Sequence, residues 1–179
     1  ERLLEMNPEW IGRFSFIQIA APTRSGIDEY QHHEAQVRTM AAQINARFGR
    51  EGPPPIVLKV EHHDAKEVYE HFRAADLCFV SSLHDGMNLV AKEFVAAQDP
   101  ENPGVLVLSR FAGAAEQLVD ALLVNPYDIQ ATADAIQRAL HMPLEERRLR
   151  HSKLMEEIRL HDVHRWRRRF LTTLMETGT

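Results

Sequence analysis

The run Ser81-Ser82-Leu83-His84-Asp85-Gly86-Met87-Asn88-Leu89-Val90-Ala91-Lys92-Glu93-Phe94 carries the residues best suited to chemistry. It stands where an apolar stretch, residues 77–81, gives way to a helical one, residues 89–97. Gly86 can take backbone conformations that other residues resist, which lets a loop approach a ligand closely. The amides of Met87, Asn88, Leu89 and Val90 are expected in the first helical turn, unpaired and facing outward. With the helix dipole they would form an anion site suited to a diphosphate. Glu93, one turn in, is placed to accept hydrogen bonds from a ribose diol, and Asp85, just before the turn, from sugar hydroxyls. By composition alone, an ordinary strand–turn–helix corner with an aspartate cap is the better-supported reading of the same string.

Other clusters are weaker. His62-His63-Asp64 has metal-ligand types, but Asp64 reads as a helix N-cap, with Glu67 three residues later completing a capping box. His161 and His164 have the i,i+3 spacing of two ligands on one helix, yet no third ligand is identifiable, and a solvated face is favoured. Neither cluster reads as a metal site. Arg165, Arg167, Arg168 and Arg169 surround Trp166. They read as an exposed helix whose Trp166 and Phe170, at i,i+4, are buried against a sheet or a further domain. Neither Glu116 with Asp120 nor Glu145 with Glu146 makes a hydrolase pair. Ser81 and Ser82 lack a nucleophile elbow, and Ala20-Ala21-Pro22-Thr23 is not a dinucleotide fingerprint.

The elements that position the decisive run alternate between strand and helix. Residues 14–20, 56–60, 77–81, 105–108 and 121–124 are short apolar strands. Residues 27–48, 64–74, 89–97, 129–141, 144–160 and 163–175 are helices, with a helical start near Gly113. In the first long helix Tyr30, Val37, Met40, Ala41 and Ile44 can share a face, and Gly49 closes it. Continuous apolar strands separated by helices predict a doubly wound α/β domain with a parallel sheet covered on both faces. Such sheets bind ligands at the carboxyl ends of their strands. The whole chain, residues 1–179, reads as one Rossmann-like domain, with 144–179 as closing helices outside the sheet or crossing to a neighbouring domain. A start at Glu1 inside a helical pattern reads as a piece excised from a longer protein.

Bulk properties fit this picture. The chain has 179 residues, 44% hydrophobic and 26% charged, close to globular averages. Residues 51–140 carry 14 acidic and 6 basic side chains, which argues against a nucleic-acid footprint. No run reaches the ~20 apolar residues that span a bilayer. The one cysteine, Cys78, lies in the run Leu77-Cys78-Phe79-Val80 as a small buried hydrophobe. A soluble, cytoplasmic protein is expected, with no nucleic-acid or membrane partner.

The string from Asp85 to Glu93 resembles the signature of the trehalose-6-phosphate synthases, retaining glycosyltransferases of the two-domain GT-B kind. Gln18 to Arg24, Gly104 to Ala115 and Val124-Asn125-Pro126-Tyr127-Asp128 are similar to the same family, so the resemblance covers essentially the whole chain. It implies the donor-binding, carboxy-terminal domain of an enzyme moving glucose from UDP-glucose, or another nucleotide-glucose, to glucose 6-phosphate. Asp85, Gly86, Met87 and Asn88 would bind the donor sugar, with the amides from Met87 to Val90 on the diphosphate. Leu89, Val90, Glu93, His63, Ile19 and Arg24 would bind the nucleotide. His63 belongs to a loop, with Glu61 and His62, that meets the base largely through backbone atoms. No cofactor is implied.

Two departures bound what the resemblance implies. The family's basic pair on the leaving phosphate, in a lysine–glycine motif, is not in this chain, and neither is the amino-terminal acceptor domain. No catalytic set is therefore complete here, and this piece alone is expected to bind donor without turning it over. His84 stands where an arginine is common. Glucosylglycerol-phosphate synthases, pseudoglycosyltransferases and a non-catalytic nucleotide-sugar module remain alternatives. Acceptor, base preference and a homo-oligomeric state of the full-length enzyme are left open.

Overall fold

The computed structural model describes residues 1–20, 28–49 and 52–177. They divide into two compact units, Glu1–Val68 and Tyr69–Thr179.

The first unit holds helix α1 (Arg2–Met6), strand β1 (Phe16–Ala20), helix α2 (Asp28–Phe48) and strand β2 (Ile56–Val60), followed by the start of α3 (Ala65–Ala74). Strands β1 and β2 pair in parallel, with Phe16 opposite Ile56 and Ala20 opposite Val60. Asn45 fixes the packing of α2 by clasping Ile56 twice. Its Nδ2 donates to the Ile56 carbonyl at 2.8 Å and its Oδ1 accepts the Ile56 amide at 2.9 Å. Of the predicted apolar face, Ala41 and Ile44 are buried together with Phe48, but Val37 and Met40 are 43% and 60% exposed. The capping box forms as expected: the Glu67 amide donates to Asp64 Oδ1 at 2.9 Å and the Asp64 amide to Glu67 Oε2 at 3.3 Å.

The second unit is built on β3 (Leu77–Val80), β4 (Val105–Ser109) and β5 (Leu122–Val124), parallel and adjacent in that order. Helices α4 (Leu89–Ala97), α5 (Ile129–Leu140), α6 (Leu144–Leu160) and α7 (Val163–Thr177) complete it. All five residues of β4 are buried, and its side chains alternate between two cores. Leu106 and Leu108 pack with Phe94, Val95 and Leu154 from α4 and α6. Val105 and Val107 pack with Ala139 of α5 and Met142 on the other face. Both faces are covered, as a run with no polar alternation requires. His151 ties α6 to α4 by donating Nε2–H to the Val95 carbonyl at 3.0 Å. Cys78 packs against the first core, and burial pushes its thiol up to about 12.

Of the two expected partners of the α7 aromatic pair, the sheet is not the one: Trp166 and Phe170 are 63% and 54% exposed and stack on one another, 5.4 Å apart and 13° from parallel. Stacking at i,i+4 shields part of each ring without a further partner. His161 and His164 do not share a helix either. Helix α6 stops at Leu160, His161 caps it with φ −107° and ψ 42°, and α7 begins at Val163. The His161 ring instead pairs with Glu157.

Candidate functional site

The loop from β3 to α4 is stitched to the turn that follows β4. Asp85 donates its amide to the Phe111 carbonyl at 3.2 Å, Gly113 donates to the Asp85 carbonyl at 2.9 Å, and Ala114 to the Met87 carbonyl at 2.7 Å. The loop therefore runs alongside residues 111–114 almost as a continuation of the parallel sheet, with a bridge between Asp85 and Ala112. The carboxyl ends of β3 and β4 thus carry the predicted residues, as an open α/β sheet places its ligand sites.

Within that loop the side chains of Asp85 and Asn88 hold one another. Asp85 Oδ1 accepts the Met87 amide at 3.0 Å and Oδ2 accepts Asn88 Nδ2 at 3.0 Å. Asn88 Nδ2 also reaches Ser82 Oγ at 3.3 Å, and its Oδ1 accepts the Ala91 amide at 3.0 Å. Asn88, not Asp85, is therefore the N-cap of α4. These donors, the Met87 amide first and the Asn88 side chain second, hold the Asp85 carboxyl below its usual range. The carboxylate is ionised at neutral pH and half-exposed, with lone pairs left for a ligand hydroxyl.

Two parts of the predicted phosphate cradle are corrected by this geometry. The Met87 amide is not open, because Asp85 takes it. The Asn88 amide also faces the Asp85 carboxylate. The amides of Leu89 and Val90 open α4 without an acceptor among the described residues, so the anion-binding part narrows to these two plus the dipole of the helix. Gly86 does not supply the unusual backbone. It has no positive φ, and a Cβ there would meet nothing within 4 Å. The left-handed residue is Asn88, with φ 73°, a conformation in which asparagine is among the better-tolerated side chains. Glu93 lies one turn into α4, half-buried, and accepts no hydrogen bond from any described residue. Side chains tilt toward a helix's N-terminus, so its carboxylate leans toward the turn that carries Leu89 and Val90.

Of the other predicted residues, Arg24 lies outside the described residues. Ile19 and His63 belong to the first unit, at the carboxyl ends of β1 and β2. Ile19 stands opposite Lys59 in the strand pair. The His63 ring is 7% exposed, with Nδ1 3.2 Å from Glu67 Oε2. Asp85, Gly86, Met87, Asn88, Leu89, Val90 and Glu93 are brought together on one corner of the second unit. Sequence reasoning missed Ser82 and Gly113 as its supports. Among the described residues, no group of three or more His, Cys, Asp or Glu could hold a metal ion, and no helix is long and apolar enough to cross a membrane.

Comparison with known proteins puts these features in context. Residues 1–176 match the model of glycosyltransferase family 20. The trehalose-6-phosphate synthase of Klebsiella pneumoniae is 49% identical over 174 residues, 97% of this chain and 37% of that protein. A crystal structure of the UDP-forming α,α-trehalose-phosphate synthase from Burkholderia xenovorans, in complex with glucose-6-phosphate, superposes with a TM-score of 0.93. It is 47% identical, over 97% of this chain and 38% of that one. The E. coli trehalose-6-phosphate structure bound with UDP-2-fluoro glucose has a TM-score of 0.92 and 45% identity, over 96% and 38% of the two chains. The present chain thus spans a little over a third of the length of these proteins.

Proposed function

Because this chain belongs to glycosyltransferase family 20, we propose that it is the donor-binding domain of an enzyme moving glucose from UDP-glucose to glucose 6-phosphate. The products are trehalose 6-phosphate and UDP. The observation that carries the reading is the corner at 85–93. A bonded, ionised Asp85, two open amides at a helix start and an unengaged Glu93 follow one another as hexose, diphosphate and ribose do along a sugar nucleotide. Relatives that bind UDP-2-fluoro glucose and glucose-6-phosphate support the same assignment.

On this reading the hexose hydroxyls donate to Asp85, alongside the backbone of Gly86, Met87 and Asn88. The Leu89 and Val90 amides donate to the diphosphate, and Glu93 accepts from the ribose diol. The family resemblance also assigns nucleotide contacts to Ile19, Arg24 and His63. The bond between the anomeric carbon and the diphosphate oxygen breaks, and its electron pair leaves with UDP. The acceptor oxygen bonds to that carbon on the same face and loses its proton. Negative charge grows on the leaving phosphate, so donors already aimed there bind it more tightly as the reaction proceeds. Residues 144–179 serve as closing helices, and the acceptor is held by sequence outside this chain.

The test is a coupled assay for UDP release by the full-length protein, with the product identified by NMR. UDP-glucose with glucose 6-phosphate should give trehalose 6-phosphate. The absence of both UDP release and a disaccharide phosphate from that pair would overturn the reading.

A further inference from the structure

We propose that Gly113, which touches no part of the predicted ligand, is a positioning residue for the donor loop. The inference rests on the donor-site reading above and adds what holds that site in register. A Cβ built on Gly113 would overlap the Gly86 carbonyl oxygen, and would lie 2.8 Å from the Gly86 carbonyl carbon and 3.3 Å from the Met87 nitrogen. All three obstacles are backbone, so none can rotate aside as a side-chain tip would. The platform cannot retreat either, since Ala112 and Ala114 are 2% exposed and Leu118 is fully buried. A methyl group at 113 must therefore displace the Gly86–Met87 peptide, against the hydrogen bonds from Gly113 to Asp85 and from Ala114 to Met87.

That peptide matters because its N–H, on Met87, orients the Asp85 carboxylate. The start of α4 is secured separately, by Asn88 Oδ1 on the Ala91 amide. Crowding at 113 is thus transmitted to the hexose end of the site more than to the diphosphate end.

The experiment titrates UDP and UDP-glucose onto the full-length protein and compares Gly113→Ala with Gly104→Ala, each with a thermal melt. Gly104 is an equally crowded glycine at the opposite end of β4, where a Cβ would lie 2.5 Å from the Ala75 carbonyl oxygen. Both variants should melt earlier. Only Gly113→Ala should lose affinity for UDP-glucose, by roughly 10- to 100-fold, the equivalent of one hydrogen bond to a charged carboxylate, while its affinity for UDP hardly moves. A folded Gly113→Ala with the wild-type ratio of the two affinities overturns the proposal, as does an equal loss in Gly104→Ala. If Gly113→Ala does not fold, amide hydrogen exchange on the wild-type protein takes its place: the Gly113 and Ala114 amides, which hold the loop, should exchange more slowly than those of Leu89 and Val90, and equal rates overturn the proposal. Wild-type protein that binds neither ligand sinks the donor reading itself, whereas an unchanged ratio in a binding protein sinks only the role of Gly113.

Discussion

Substitution of Asn88 separates two tasks that this residue performs at once. Its backbone sits at φ 73° and ψ 90°, and its side chain caps α4 while gripping Asp85. Asn88→Gly keeps the backbone at ease, since glycine visits positive φ freely. The lost cap then costs only a few tenths of a kcal/mol, and the two lost Nδ2 bonds, half-buried, cost roughly 1–3 kcal/mol between them, partly offset by the left-handed strain that glycine relieves. Asn88→Ala loses the same bonds and a full cap, about 1 kcal/mol. It also keeps a β-carbon in the left-handed region, as wild type does, and so forgoes the roughly 1–2 kcal/mol of relief that glycine gains. The expected result is Asn88→Gly within about 2 kcal/mol of wild type and Asn88→Ala roughly 2–3 kcal/mol below Asn88→Gly. Urea denaturation of the three proteins side by side measures it. Equal stability of the alanine and glycine variants would refute the left-handed conformation, and equality of all three would remove the cap as well. Both variants release Asp85 Oδ2, so both should lose affinity for UDP-glucose, and that loss should not track the stability order.

Glu93→Gln should weaken UDP binding by roughly ten- to a hundredfold, because a hydrogen bond to a charged group contributes about 1.5–3 kcal/mol. Isothermal titration decides it, and an unchanged Kd would remove the ribose role. Asp85 carries a pH signature. Its folded pKa is depressed below the unfolded value near ~3.9. Its contribution is therefore complete above that unfolded value and is lost as pH falls through the lower, folded one. The Met87 amide resonance should hold steady from neutral pH to about pH 4 and shift only below, and a midpoint above the ordinary carboxylate value would contradict the hydrogen bond. Cys78, raised to about 12 by burial, should resist aromatic disulfide reagents in the folded protein at pH 8 and react once denatured. Prompt labelling of native protein would show that β3 is not packed as described.

Much of the fold was legible because it leaves periodic or local marks. Unbroken apolar runs such as Val105-Leu106-Val107-Leu108 can only belong to a strand covered on both faces, and β4 is covered by α4 and α6 on one side and α5 on the other. The capping box at Asp64 and Glu67 was legible because both partners lie within four residues. Val37 and Met40 were misjudged for a different reason. Helical period tells which side a residue faces, not whether another element covers that side. Trp166 and Phe170 carried the pattern of a buried pair, and pattern alone does not say what lies opposite.

At the candidate site the sequence located the corner and misread its mechanics. Glycine is the residue one suspects where backbone must bend or approach closely, and Asp85-Gly86 invited that suspicion. The structure divides the work differently. Asn88 takes the left-handed turn, since its amide side chain can bond locally and offset the strain. Close approach falls to Gly113, more than twenty-five residues away, whose missing Cβ makes room for the Gly86 carbonyl. Gly86 itself has open space where a Cβ would stand. The loop thus meets the protein platform with backbone on one surface and, on the donor-site reading, leaves the Gly86 surface open to the sugar nucleotide. A side chain at 113 would crowd the first, and one at 86 would meet nothing until a sugar nucleotide arrives. The two glycines are therefore expected to fail differently: Gly113→Ala with the site empty, and Gly86→Ala only when UDP-glucose is bound. A melt of each variant with and without ligand distinguishes them, and a Gly86→Ala protein that is stabilised by UDP-glucose as well as wild type would contradict the assignment of the outer surface.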